Sequence, residues 1–170
     1  MQWQDWKIFG GPQWPFLTWR IAYLMFCAFS VAWSMSDPYY KLKHWFIFAT
    51  NWTILLQLVY SSLQMLNIIL FHCVHAKERE RNYAQDSNLL DACIWILFSI
   101  VGAIPYIVTI GYWTWVHDPK ITPGVPVATL FAHGVNAIFS LIDTLLVAIP
   151  VHVTHVVYLI AFSGVYLVFS

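Results

Sequence analysis

Polar side chains recur at helical spacing inside otherwise apolar stretches of this sequence. Thr50, Thr53, Gln57, Ser61 and Gln64 are separated by 3, 4, 4 and 3 residues, and Thr129, His133, Asn136, Ser140 and Thr144 by 4, 3, 4 and 4. Each set therefore forms one stripe on one helical face. In hydrocarbon such stripes turn inward and join helices by hydrogen bonds, which by itself accounts for Gln57, Ser61, Ser140 and Thr144. His133 differs in kind, because an imidazole buried in an apolar segment stays neutral and can act as a general base. A threonine hydroxyl beside it, as at Thr50, is the nucleophile and base arrangement of acyl transfer, which needs no cofactor. Asp143 is the one carboxylate deep in an apolar segment and requires a partner, for which His152 and His155 across the following turn, or a residue of a missing C-terminal segment, are candidates. A looser set, His72 and His75 followed by Asp91, His152 and His155, has the i, i+3 spacing with which facing helices can ligate a metal. Histidines at a membrane interface can equally reach headgroup water without any ligand.

The elements that must position these groups are transmembrane helices. Of the 170 residues, 60% are hydrophobic and 9% charged, against about 25% charged in an average soluble domain. A water-facing surface cannot be covered with so few charges. The charges cluster between runs near the ~20 residues that cross a bilayer core. Five spans are expected, at about 16–35, 45–74, 90–116, 125–149 and 152–170. The runs are too long and too uniformly apolar for barrel strands. The expected fold is all-α, a polytopic transmembrane helix bundle forming a single domain over 1–170. The still-apolar C-terminus suggests a bundle truncated from about six spans.

Short connections make the helices alternate in direction. Lys7, Arg20, Lys77, Arg79 and Arg81 fall on one side and Lys41, Lys43 and Lys120 on the other, which favours a cytoplasmic N-terminus in the plasma membrane or endoplasmic reticulum. Trp3, Trp6 and Trp14, then Tyr39, Tyr40 and Trp45, then Tyr112, Trp113 and Trp115 gather where interfacial belts belong. Gly102 and Pro105 predict a kink in the third span. Cys27, Cys73 and Cys93 are expected as buried thiols outside any disulfide framework. The acceptor-like Asn51-Trp52-Thr53 lies inside a span, out of reach of a glycosyltransferase. The balanced net charge and the lack of a basic block exclude nucleic acid as a partner and leave the lipid bilayer. The second and fourth spans enter from the same side, so Thr50 and His133 lie about 10 and about 14 Å deep by the helix rise and can meet.

The stretch Phe48-Ala49-Thr50-Asn51-Trp52-Thr53 resembles the FxTNW segment of the rolling stone family. His133-Gly134-Val135-Asn136, followed by Asp143, by Ile149-Pro150-Val151, and by His155 and Tyr158, resembles it in the same order and spacing. That family is similar to the androgen-induced protein family, multi-pass proteins of about six spans that hydrolyse fatty acid esters of hydroxy fatty acids with an intramembrane threonine and histidine. The resemblance implies an intramembrane lipid esterase with a lipid ester substrate and with Thr50 and His133 as the catalytic pair. Asn51 or Asn136 would donate to the oxyanion and Asp143 would support the site. It also implies an alternative, since rolling stone proteins are associated with myoblast fusion, a role for a non-enzymatic multi-pass protein of adhesion or fusion. A metal-dependent membrane enzyme built on His72, His75, His152 and His155 is the third expectation.

Overall fold

A computed structural model describes residues 14–36, 42–73, 89–117, 127–147, 149 and 153–169, with side chains at all of these but 42, 43, 71–73 and 128. Helix α1 spans Trp14–Ser36, the short α2 Leu42–Trp45 and α3 Ala49–Cys73. Helix α4 covers Leu89–Val101 and α5 Ile104–Gly111, which runs on as a π-helical segment over Tyr112–Val116. Helix α6, Val127–Thr129, opens into a second π-helical segment at Leu130–Val135 and continues as α7, Asn136–Leu146. A 3₁₀ turn at Val153–His155 leads into α8, Val156–Phe169. The described residues hold no strand, and the five expected spans coincide with these five helical rods to within a few residues.

Three rods, Trp14–Ser36, Ala49–Leu70 and Leu89–Val116, are long and apolar enough to cross a membrane, and Leu130–Leu146 and Val153–Phe169 are shorter apolar helices. Burial runs opposite to that of a water-soluble protein. Arg20, Gln57, Gln64, Asn67, His133, Asn136 and Asp143 are buried, whereas Met25, Ile107, Ile110, Leu145, Ile160 and Leu167 are exposed. Polar groups without water must find partners inside, and apolar side chains lose nothing by facing lipid. The molecule is a helical membrane bundle.

Helix α3 is central, packing on α1, α4, α5 and the Leu130–Val135 segment, while α8 lies against α4. Contacts at the helix ends show that successive rods alternate in direction. Trp45, just before α3, donates to Ser34 near the end of α1. Asn67 near the end of α3 donates to Asp91 at the start of α4. At the far end of α8, Tyr166 donates to the Ile47 carbonyl, 2.7 Å away. An aromatic column stitches α1 to α7, with Phe26 stacked on Phe139 at 4.1 Å between centroids and Trp19 on Phe139 at 5.4 Å.

The expected kink is a true interruption at Gly102 and Ala103. Pro105 has no N–H to offer the Val101 carbonyl, so the α-helical ladder stops there and restarts at Ile104, with Pro105 buried in the first turn of α5. The Gly102 amide closes the preceding turn on the Phe98 carbonyl at 2.8 Å. A Cβ at position 102 would lie 2.9 Å from that same oxygen, a close approach that only glycine allows.

Candidate functional site

The FxTNW stretch has a local structural task. Where the chain leaves α2 and turns into α3, three carbonyls lose their helical donors in an apolar setting. Asn51 Nδ2 donates to the Trp45 carbonyl at 2.7 Å, Trp52 Nε1 to that of Phe46 at 2.6 Å, and Tyr166 to that of Ile47. Thr53 donates back to the Ala49 carbonyl within its own helix. Asn51 thus has one amide N–H committed to the turn. Thr50 is half-buried, and its hydroxyl makes no hydrogen bond among the described residues.

Two side-chain bonds fix the register of α3 against α7. Gln57 Nε2 donates to Ser140 Oγ at 2.6 Å, and the Tyr60 hydroxyl to Asp143 Oδ2 at 3.1 Å, both across 83 residues of chain. The helices therefore run in the same direction where these bonds join them. Helix α3 also touches the π-helical segment that contains His133. No hydrogen bond among the described residues joins Thr50 to His133.

His133 is 7% exposed and stacks on Tyr112, 3.9 Å between centroids and 10° from parallel. Both rings sit on π-helical segments, and such segments are uncommon and concentrate at functional sites. Thr109 donates to the His133 carbonyl at 2.7 Å, tying α5 to this wider turn. Among the described residues His133 Nδ1 and Asn136 Oδ1 are sealed from solvent without a hydrogen-bond partner, as are Gln57 Oε1, Gln64 Oε1, the Tyr106 hydroxyl and two Arg20 nitrogens. Sealed polar atoms of this kind call for a ligand or water that completes them.

Asp143 belongs to a different centre from the one anticipated. Of the two histidines anticipated as its partner, His155 bonds Ser99 and His152 lies outside the described residues. Asp143 Oδ1 accepts from Arg20 Nη1 at 2.8 Å and from Trp19 Nε1 at 2.9 Å, with Tyr60 on the other oxygen and Gln64 donating to the Tyr60 hydroxyl. Arg20 and Asp143 form the one ion pair among the described residues, with side chains 1% and 4% exposed. Arg20 therefore does not flank the first span; it faces the bundle interior and stacks over Phe16. Arginine six residues into a span has no special sequence signature, so the pairing is visible only once α1 and α7 are side by side.

His155 and Asp91, from the looser histidine set, share one cleft. They line a cleft between α4 and α8 with Ala92, Trp95, Ile96, Ser99 and Tyr158. Ser99 Oγ lies 3.0 Å from His155 Nδ1 and also donates to the Trp95 carbonyl at 2.8 Å. His75 and His152 lie outside the described residues, as does the His72 side chain. Among the described residues no three His, Cys, Asp or Glu side chains are grouped to hold a metal. Cys27 is a buried free thiol and Cys93 a half-buried one.

An apolar exterior around a hydrogen-bonded polar interior defines a helical membrane protein with an internal polar site. The profile of the protein rolling stone family matches residues 2–170, so the chain belongs to the rolling stone family. It is similar to protein rolling stone of Drosophila melanogaster, 24% identical over 118 residues, covering 66% of this chain and 43% of that protein. The chain thus matches less than half the length of that curated relative. No solved structure matches it.

Proposed function

We propose that this protein is an intramembrane lipid esterase acting on fatty acid esters of hydroxy fatty acids or similar lipids. The observation that supports this reading is His133 Nδ1 and Asn136 Oδ1, sealed without a hydrogen-bond partner among the described residues, with the His133 segment packed on α3, whose Thr50 hydroxyl is likewise unengaged. Thr50 Oγ attacks the ester carbonyl carbon while His133 takes its proton, and the imidazolium returns that proton to the departing alkoxide. Water activated by the same imidazole then cleaves the acyl-threonine, releasing the fatty acid and restoring the hydroxyl. Asn136 is the donor best suited to the oxyanion, since an Asn51 N–H already serves the Trp45 carbonyl. Five alternating spans with a cytoplasmic N-terminus complete the arrangement.

The test is ester turnover by purified protein in detergent or nanodiscs. Thr50→Ala and His133→Ala should each abolish it, while the Gln57–Ser140 and Arg20–Asp143 contacts keep both variants folded; turnover retained by either variant rejects the mechanism.

A second reading is a non-enzymatic protein of membrane adhesion or fusion. It is favoured by the polar stripes themselves, where Gln57, Ser140, Tyr60 and Asp143 are already hydrogen-bonded as interhelical links. This reading predicts that wild-type protein neither hydrolyses ester nor reacts with a fluorophosphonate probe.

A further inference from the structure

The cleft between α4 and α8 lies at the opposite end of the bundle from Thr50 and His133. Its walls come from one face of α4, with Asp91, Trp95 and Ser99 at successive turns, and from His155 and Tyr158 at the start of α8. Its volume is about 340 Å³, at the lower end of the range of small-ligand sites. Asp91 is held in place by Asn67, whose Nδ2 donates to Oδ1 at 3.1 Å from a buried position on α3. Asp91 has no ion pair among the described residues. Trp95 meets the edge of His155 at 5.7 Å between centroids, and Tyr158 lies 5.9 Å from the same ring. Ser99 bonds His155 and fixes the orientation of that ring.

A carboxylate one helical turn from an indole, in a cleft that a phenol and an imidazole also line, is chemistry that recognises an alkylammonium group. The ring faces attract the spread positive charge and the carboxylate neutralises it. An anion would meet the Asp91 charge with no lysine or arginine among the described lining residues to offset it. Around the cleft, Ile96, Val156, Val157 and Ile160 are exposed apolar side chains, a surface suited to acyl chains. We propose that the α4–α8 cleft is a site for the ammonium head group of a zwitterionic bilayer phospholipid, separate from the Thr50–His133 site. The site does not rest on the esterase reading and stands or falls independently of it.

The experiment is competitive lipid retention by the full chain. Protein is reconstituted in nanodiscs with equal parts of phosphatidylcholine and phosphatidylglycerol of identical acyl composition, released gently, and the bound lipid is counted by native mass spectrometry. The expected result is enrichment of phosphatidylcholine by roughly fivefold, the ratio that about 1 kcal/mol of cation–π and charge attraction gives. Asp91→Asn keeps the acceptor for Asn67 and the side-chain shape but removes the charge, and should bring the ratio close to one. Trp95→Leu should do the same, while Tyr158→Phe, which keeps the ring, should retain most of the enrichment. Equal retention of the two lipids by the wild type, or enrichment that survives Asp91→Asn, overturns the proposal. Release of the bound lipid by soluble glycerophosphocholine would overturn the assignment to a bilayer lipid, because the acyl chains would then contribute nothing.

Discussion

Arg20 and Asp143 show what a single buried pair does in an apolar bundle. Desolvating both charges is expensive; Trp19 and Tyr60 add two donors to the carboxylate, whereas Arg20 Nε and Nη2 have no hydrogen-bond partner among the described residues. Removing one partner strands the other, so Arg20→Ala or Asp143→Ala should each destabilise the fold by about 3–5 kcal/mol in reversible unfolding from detergent. The double replacement Arg20→Met with Asp143→Leu should be less damaging than either single change, a non-additivity that a double-mutant cycle reads directly. Gln57→Leu is a milder case. It removes the 2.6 Å bond to Ser140, and interhelical bonds of this kind average about 0.6 kcal/mol in membrane proteins. Thr50→Ala removes no described hydrogen bond, so its effect on stability should fall below that of Gln57→Leu by the same measurement.

At the scale of the element, the interrupted third span places Tyr112 against His133. Pro105→Ala would return an N–H to the Val101 carbonyl and allow α4 and α5 to become one continuous helix. Spin labels at positions 96 and 110, both exposed, should then move apart, with pulsed electron resonance reporting a longer and narrower distance distribution. An unchanged distance would place the cause of the break elsewhere than in the missing donor. Gly102→Ala tests the other half of the feature. The added Cβ would fall 2.9 Å from the Phe98 carbonyl, so the backbone must shift and thermal stability should fall, by roughly 1–3 kcal/mol in an already packed site.

For the whole molecule, the buried position of Arg20 alters the orientation argument. With Arg20 withdrawn into an ion pair, the N-terminal side keeps Lys7, Lys77, Arg79 and Arg81 against Lys41, Lys43 and Lys120 on the other. The bias keeps its sign and loses strength. Alternating spans require the N-terminus and the segment around Ser87 to share a compartment. A cysteine introduced at Ser87 should therefore react with a membrane-impermeant maleimide only from the side that also labels a cysteine at Gln4, and from the opposite side to one at Asp37. Labelling of positions 87 and 37 from the same side would contradict the alternation.

The sequence by itself determined the helical bundle, the approximate limits of its rods and the interior faces of the second and fourth. Those properties follow from composition and from the 3.6-residue period, which are local. The polar stripe on α3 is buried from Thr53 to Gln64 as its spacing demanded, with Thr50 half-buried, and Gly102 and Pro105 interrupt their helix as their covalent chemistry demanded. Tertiary structure alone decided which polar groups pair. Asp143 meets Arg20, Asn51 serves a turn carbonyl, and Trp95, Ser99 and Tyr158 join Asp91 and His155 around one cleft. The stripes carry that limit in their physics: periodicity fixes which face of a helix turns inward, while the partner it finds there depends on which helices are neighbours and in what register.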